Sequence, residues 1–182
     1  MRHGQTTSSK GKIYSGRRDI PLTDHGREQA RRAAQQLAGA GIDAVYTSPL
    51  IRARDTAEAI AGATGAPLTV EPRLIEVDYG TFEGLDREGA EAKLGSAFVD
   101  WRADPFGKTV RGAEPLADAL ARARAATADV IAAHDHPVLV GHQGILRIVL
   151  IALGDLAPQD YFTRRLHEAE PIVVEAPAVV PA

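Results

Sequence analysis

The chain has 182 residues, enough for one domain with a small inserted cap, and its 45% hydrophobic and 25% charged residues are those of an ordinary globular protein. Lys and Arg number 21 against 24 Asp and Glu, a net charge of -3, so no bulk attraction to nucleic acid or to an anionic membrane surface is expected. Cysteine is absent, which excludes disulfides, thiolate metal centres and every cysteine-nucleophile mechanism together.

In chain order, Thr23 is placed to cap a helix on which Gly26, Ala30, Ala33, Ala34 and Leu37 recur at helical spacing, stopping at Gly39-Ala40-Gly41. Asp43 to Thr47 reads as a short strand running into Ser48-Pro49, a cap followed by proline at the first helical position. Leu50, Ala53, Ala57, Ile60 and Ala61 mark the buried stripe of that helix, and Pro67 to Val70 reads as a second strand. Residues 80–114 differ: glycine recurs, and Phe82, Phe98, Trp101 and Phe106 concentrate there, which suggests a lid or insertion whose aromatics form its own core. A long helix is expected from Pro115 to before Pro137, then a buried strand Val138-Leu139-Val140, the turn Gly141-His142-Gln143-Gly144 and an apolar helix from Ile145. Ile172-Val173-Val174 is a candidate last strand, and the tail 176–182 is expected to fray. Strands alternating with helices predict an α/β fold, a three-layer sandwich with a mostly parallel central sheet flanked by helices. The apolar run from Ile145 to Leu153 is interrupted by Arg147 and is too short to cross a bilayer. With no signal peptide or basic leader in view, the cytoplasm is the expected compartment.

The chemistry-bearing residues fall at loop positions. Arg2-His3-Gly4 stands at the start, Ser48-Pro49-Leu50-Ile51-Arg52 at a strand-to-helix turn, Leu74-Ile75-Glu76 before Tyr79-Gly80, and Gly141-His142 at the end of a strand. Together they supply two arginines, two imidazoles and a carboxylate where an open α/β sheet places its ligand crevice. His134-Asp135-His136 has the look of a metal pair but lies in a polar helix-to-strand connection, and a solvated role is preferred.

Five ordered blocks make the sequence resemble the histidine phosphatase superfamily, in the branch that holds cofactor-dependent phosphoglycerate mutases and small phosphatases. They are Arg2-His3-Gly4-Gln5-Thr6; Pro21-Leu22-Thr23 with Gly26 and Gln29-Ala30; Ser48-Pro49-Leu50 with Arg52-Ala53 and Thr56-Ala57; Leu74 and Glu76 with Gly80 and Glu83-Gly84; and Gly141-His142. The resemblance implies a phosphoglycerate mutase-like fold over residues 1–182. It also implies His3 as the phosphorylated nucleophile, Glu76 as the proton donor, and Arg2, Arg52 and His142 as the phosphate pocket. Ser9, standing where the family often has Asn, and Gln143 are further candidates for phosphate binding.

Elementary chemistry gives those residue types a reason. A phosphate monoester repels nucleophiles by its own charge, so the site must neutralise the equatorial oxygens and align the attacking atom. Arginine forks grip two oxygens and stay charged near neutrality. A nucleophilic histidine must be neutral, one nitrogen free and the other held as N–H, plausibly by a backbone carbonyl of the glycine turn. The leaving alkoxide needs a proton from an acid kept protonated, for which burial of Glu76 beside a dianion is a sufficient cause, with Glu83 the competing carboxylate. With these charges supplied by side chains, no metal or other cofactor is required.

Two departures from the family pattern stand out. A short apolar strand usually precedes Arg-His-Gly, whereas here Met1 alone does, so either the chain is truncated or the sheet manages without that strand. A Gly-Glu-Ser element is replaced by Gly112-Ala113-Glu114-Pro115. The reading is a metal-independent phosphatase for small phosphate monoesters, with no nucleic-acid or membrane partner and with a homodimer left open. The alternatives are a phosphoglycerate mutase, disfavoured by the short chain and the few basic residues of the insertion (Lys93, Arg102, Lys108 and Arg111), and a catalytically impaired phosphate-binding protein, disfavoured by the presence of both His3 and Glu76.

Overall fold

The computed structural model describes residues 1–175. After a four-residue helix α1 (Thr7–Lys10), the chain runs α2 (Asp24–Leu37), β1 (Ala44–Thr47), α3 (Ile51–Thr64), β2 (Leu68–Val70), α4 (Arg87–Leu94), α5 (Ser96–Ala103), α6 (Leu116–Ala133), β3 (Pro137–Val140) and α7 (Gln143–Ala152). The three strands form a parallel sheet in the order β2-β1-β3, with Val45 opposite both Leu68 and Val138. Period-two alternation divides the core between the faces. Val45 and Val140 pack with Ala34, Ala53, Ala57 and Ile60 of α2 and α3. Tyr46 and Leu139 face the larger cluster built from α6, α7 and the 77–110 segment. This is a three-layer α/β architecture. Among the described residues no helix is long and apolar enough to cross a membrane.

Thr23 caps α2 by accepting from Gly26 N, as its sequence position predicts. The start of α3 differs from the expectation. Helical geometry begins at Ile51, not at Pro49, because Asp19 accepts from Ile51 N at 2.7 Å and supplies the cap from a distant loop. Ser48 is thereby left outside the helix, its hydroxyl oxygen accepting from Leu50 N at 3.3 Å.

Ile172–Val174 is not a strand, which corrects the expectation of a closing strand there: this segment pairs with nothing, and Val173 stands 92% exposed. Its place is taken upstream by a single parallel bridge between Arg2 and Glu168. On its other side Arg2 bridges Gly141, with Gly141 N donating to Met1 O and His3 N donating to Gly141 O. The residues before His3 therefore extend the sheet beyond β3 by one bridge. Alongside the rest of β3 lies an apolar cavity of about 410 Å³, lined by Leu37, Ile42, Val130, Ile131, Leu139 and Ile172 among others.

Residues 80–114 carry α4 and α5, and their aromatics are core. Phe82, Phe98 and Trp101 are buried, with ring centroids 5.4–5.7 Å apart, and Tyr14 and Tyr79 pack edge-on against Phe82 or Trp101. Glu114, in the altered Gly-Ala-Glu-Pro element, receives two donors from Arg122 and the N–H of Asp78. The tail 176–182 lies outside the described residues.

Candidate active site

The carboxyl ends of β1 and β3 point at one place, and the turn after each delivers a functional group there. β3 ends at Val140 and the chain turns through Gly141 to His142, the N-cap position of α7. The residues beside it are Arg2 and His3, held by the bridge to Gly141. The rings of His3 and His142 lie 5.1 Å apart, tilted by 57°.

Both imidazoles are almost closed off from water, His3 at 5% and His142 at 1% exposure. Burial, reinforced by the Arg2 and Arg52 charges, holds the His3 imidazole well below its ordinary range. His142 is depressed in the same way by burial, Arg52 and His3. Both rings are therefore neutral at neutral pH, and their hydrogen bonds define the tautomers. The His3 Nδ1 nitrogen lies 2.6 Å from the carbonyl of Gly4, which can only accept, so Nδ1 carries the hydrogen and Nε2 keeps its lone pair. The Arg52 Nε–H donates to His142 Nδ1 at 3.0 Å, so His142 carries its hydrogen on Nε2 and donates to Ser48 Oγ at 2.7 Å.

Arg52 is 1% exposed. Besides His142 it donates to the carbonyls of Gly16 and Arg18, so two of its five N–H groups remain for a ligand. One turn along α3, Thr56 accepts from Gly4 N and so ties the glycine turn to the same helix. Arg2 donates to Gln143 Oε1 and to Leu166 O and approaches Glu168 at 3.6 Å, while its buried Nε has no partner.

Glu76, 6% exposed, projects from the segment after β2 to the start of α7, where its carboxylate accepts from Gly144 N and Ile145 N as well as from Val77 N. A carboxylate at a helix N-terminus is favourably placed by the exposed N–H groups and the dipole. Glu83, the competing carboxylate, accepts from Arg17 N and Tyr79 N and organises the surrounding loops.

Of the residues singled out from sequence, His3, His142, Arg52, Arg2, Gln143 and Glu76 form one connected group. Ser9 does not join it through any hydrogen bond: its hydroxyl accepts from Thr6 N and donates to Thr6 O in the capping box of α1. The His134–His136 segment is structural, since Asp43 accepts from the N–H groups of Asp135 and His136 while His134 Nε2 meets the Tyr46 hydroxyl. Among the described residues no three His, Asp or Glu side chains are placed to hold a metal ion. The roles of Ser48 and Thr56 as partners of His142 and Gly4 were not read from sequence, although both stand in the quoted motif; their offset after a strand that ends beside β3 is the signal that was there to use.

A family model described as the histidine phosphatase superfamily (branch 1) matches residues 1–177. A 2,3-bisphosphoglycerate-dependent phosphoglycerate mutase of Azorhizobium caulinodans is 33% identical over 183 residues, covering 95% of this chain and 88% of that protein. A probable 2-carboxy-D-arabinitol-1-phosphatase of Arabidopsis thaliana is 31% identical over 168 residues, which cover 92% of this chain but only 35% of that longer protein. Among solved structures, a native mycobacterial glucosyl-3-phosphoglycerate phosphatase superposes with a TM-score of 0.77 at 31% identity, covering 88% of this chain and 80% of that one.

Proposed function

The chain belongs to the histidine phosphatase superfamily, branch 1; we propose that it acts as a phosphatase on small phosphate esters, through a phosphohistidine at His3 and without a metal. The observation that carries this reading is the His3 imidazole itself: buried, neutral, and held through Nδ1 by Gly4 O so that Nε2 offers its lone pair. Nε2 attacks phosphorus in line, and the P–O bond to the alcohol breaks. Arg2 and the two unused N–H groups of Arg52 offset the charge on the equatorial oxygens. Glu76, which takes up a proton as the anionic phosphate binds, gives it to the departing oxygen. In the second step the Glu76 carboxylate takes a proton from water, whose oxygen attacks phosphorus as the P–N bond breaks and His3 recovers its lone pair.

The similarity to a bisphosphoglycerate-dependent mutase raises phosphoryl transfer between substrate positions as a second reading. Hydrolysis is favoured because the basic residues of the insertion are partly committed. Lys93 donates to Thr81 O, and Arg102 lies over the Phe162 ring at 4.2 Å. The test is a single turnover with a labelled phosphate ester in the presence of a chelator. An acid-labile phosphoryl adduct that forms and decays in the wild type, and is absent from His3→Ala, is expected. Turnover abolished by the chelator, or an undiminished adduct in His3→Ala, overturns the proposal.

A further inference from the structure

Arg122 of α6 is turned inward. It stands between Ala119 and Ala126, both buried, and its side chain is 17% exposed. All five N–H groups of its guanidinium are taken. Nε donates to Glu114 Oε1 at 2.8 Å and Nη2 to Glu114 Oε2 at 3.0 Å, a parallel fork on one carboxylate. The other three go to main-chain carbonyls of the segment after β2: Nη1 donates to Arg73 O and, at 2.8 Å, to Ile75 O, and Nη2 to Glu76 O at 3.5 Å. With no donor left over, Arg122 is not a group that awaits a phosphate. It is a clamp, and what it holds is the backbone that carries Glu76.

That backbone has little else to hold it. Residues 75–79 belong to no helix or strand, and among the described residues no other donor reaches the carbonyls of Ile75 and Glu76. The N–H of Val77 is turned to the Glu76 carboxylate and so ties this side chain only to its own main chain. Two residues beyond Glu76, Glu114 grips Asp78 twice: Glu114 N donates to Asp78 O at 2.9 Å, and Asp78 N donates to Glu114 Oε2 at 3.2 Å. Burial pushes the Glu114 carboxyl up, but the hydrogen bonds and charge of Arg122 more than reverse this, and it stays ionised. The pair thus brackets the acid, Arg122 on residues 73–76 and Glu114 on residue 78. The far end of the Glu76 side chain meets Gly144 N and Ile145 N, so the place of its oxygens is set from two sides.

We propose that Arg122, locked by Glu114, is a positioning residue for Glu76: it fixes the main chain from which that carboxyl serves as acid and base, and it takes no part in gripping phosphate. The proposal rests on the role given to Glu76 in the function proposed above. A planar guanidinium fork fixes direction as well as charge, which a single ammonium does not. Displacing a catalytic group by about 1 Å lowers the rate by roughly 10²-fold. Arg2, Arg52 and His142 stand on other elements, so the affinity for phosphate is spared.

The experiment is a double-mutant cycle between positions 122 and 76 with p-nitrophenyl phosphate, whose nitrophenolate departs without a proton. Its kcat/KM reports formation of phosphohistidine, which needs no acid here, whereas hydrolysis of the adduct needs Glu76 as base. Arg122→Met is expected to lower kcat roughly 10–100-fold, with KM falling alongside so that kcat/KM stays within about twofold of the wild type. Competitive inhibition by inorganic phosphate should be unchanged. In the Glu76→Gln background the same replacement should slow hydrolysis no further, because the group it positions is already gone. Arg122→Lys is expected to restore part of kcat. The double variant Arg122→Met, Glu114→Gln leaves no unpaired carboxylate and serves if Arg122→Met does not fold. Equal losses in kcat and kcat/KM, weakened phosphate inhibition, or losses at the two positions that multiply overturn the positioning role while leaving the phosphatase standing. A Glu76→Gln variant with wild-type kcat overturns the role of Glu76 and this proposal with it.

Discussion

Gly4 and Gly26 are packed backbone to backbone: a methyl on Gly4 would overlap the Gly26 carbonyl, and one on Gly26 would overlap the Gln5 carbonyl. The contact clamps the turn that follows His3 against the first turn of α2, where Thr23 N also donates to Gln5 O. Since the Gly4 carbonyl is what holds His3 Nδ1, a shift of this backbone misaims the nucleophile. Gly4→Ala and Gly26→Ala are each expected to cost about 1–3 kcal/mol, as forced overpacking does. Gly4→Ala should in addition lose more activity than its stability change explains. Denaturant unfolding and kcat measured on both variants check this; equal residual activity at equal stability loss contradicts it.

Glu76 serves both chemical steps, and the two can be separated by the leaving group. Nitrophenolate departs without a proton, so Glu76→Gln should leave formation of phosphohistidine from p-nitrophenyl phosphate nearly intact while slowing its hydrolysis. Rapid mixing is expected to give a burst of one nitrophenolate per active site followed by a steady state roughly 10²–10⁴-fold slower than the wild type. An alkyl phosphate should show no burst, because its first step fails as well. A burst from neither substrate removes Glu76 from the role of base. Thermal melts accompany the kinetics, since Glu76 also receives the Gly144 and Ile145 N–H groups.

Much of this site was legible, for reasons that differ by residue. The strand Val138–Val140 running into Gly141-His142 announces itself by hydrophobicity and glycine, and Thr23 by capping chemistry. The approach of His3 to His142, 139 positions apart in the chain, follows from neither periodicity nor spacing and was carried by the order of the motif blocks. What stayed hidden depends on partners without a sequence signature. Arg52 is held by the backbone carbonyls of Gly16 and Arg18, which any residue offers, and α3 begins late because Asp19 reaches it from a loop 32 residues upstream. Ile172–Val174 has strand composition, but composition cannot supply a pairing edge. Arg147 read as a mere interruption of an apolar run, because burial without a counter-ion is visible only in three dimensions.

Two imidazoles held neutral by burial impose a pH dependence on folding. In the unfolded chain each titrates near about 6.5, whereas in the folded state both are well below that, burial being the main cause and Arg52 a contributor in each. Below pH about 6.5 the unfolded state therefore binds protons that the folded state refuses, and stability falls as pH falls, by up to about 1.4 kcal/mol per pH unit for each histidine. Glu71, held low by its hydrogen bonds to Arg73, titrates beneath this window and does not mask it. Urea unfolding between pH 7.5 and 5.5 should show the slope, and the double variant His3→Asn, His142→Asn should reduce it to the part left by the Met1 amine, which burial pushes down from 8.0 to about 5. An unchanged slope in the double variant means that the imidazoles are charged in the fold.

The apolar cavity beside β3 supplies the last prediction. Arg2 continues the sheet by a single bridge, and the remainder of that edge faces a space of about 410 Å³ walled by Leu37, Ile42, Val130, Ile131 and Ile172. A five- or six-residue segment of valine and isoleucine fused ahead of Met1 would lie parallel to β3, pair its free backbone groups and place alternate side chains in the cavity. Each large apolar side chain fully buried there is worth about 1.5–3 kcal/mol before the entropy of ordering the segment is subtracted. A net gain of even about 1 kcal/mol raises Tm by about 2–4 °C in a chain of this length. A matched fusion of serine and glycine, which cannot fill the space, should leave Tm where it is. The catalytic turn gains as well: with Met1 and Arg2 anchored on both sides, His3 is held more firmly, and kcat should rise with Tm in the apolar fusion alone. Equal melting temperatures for the two fusions would show that the cavity does not accept a strand.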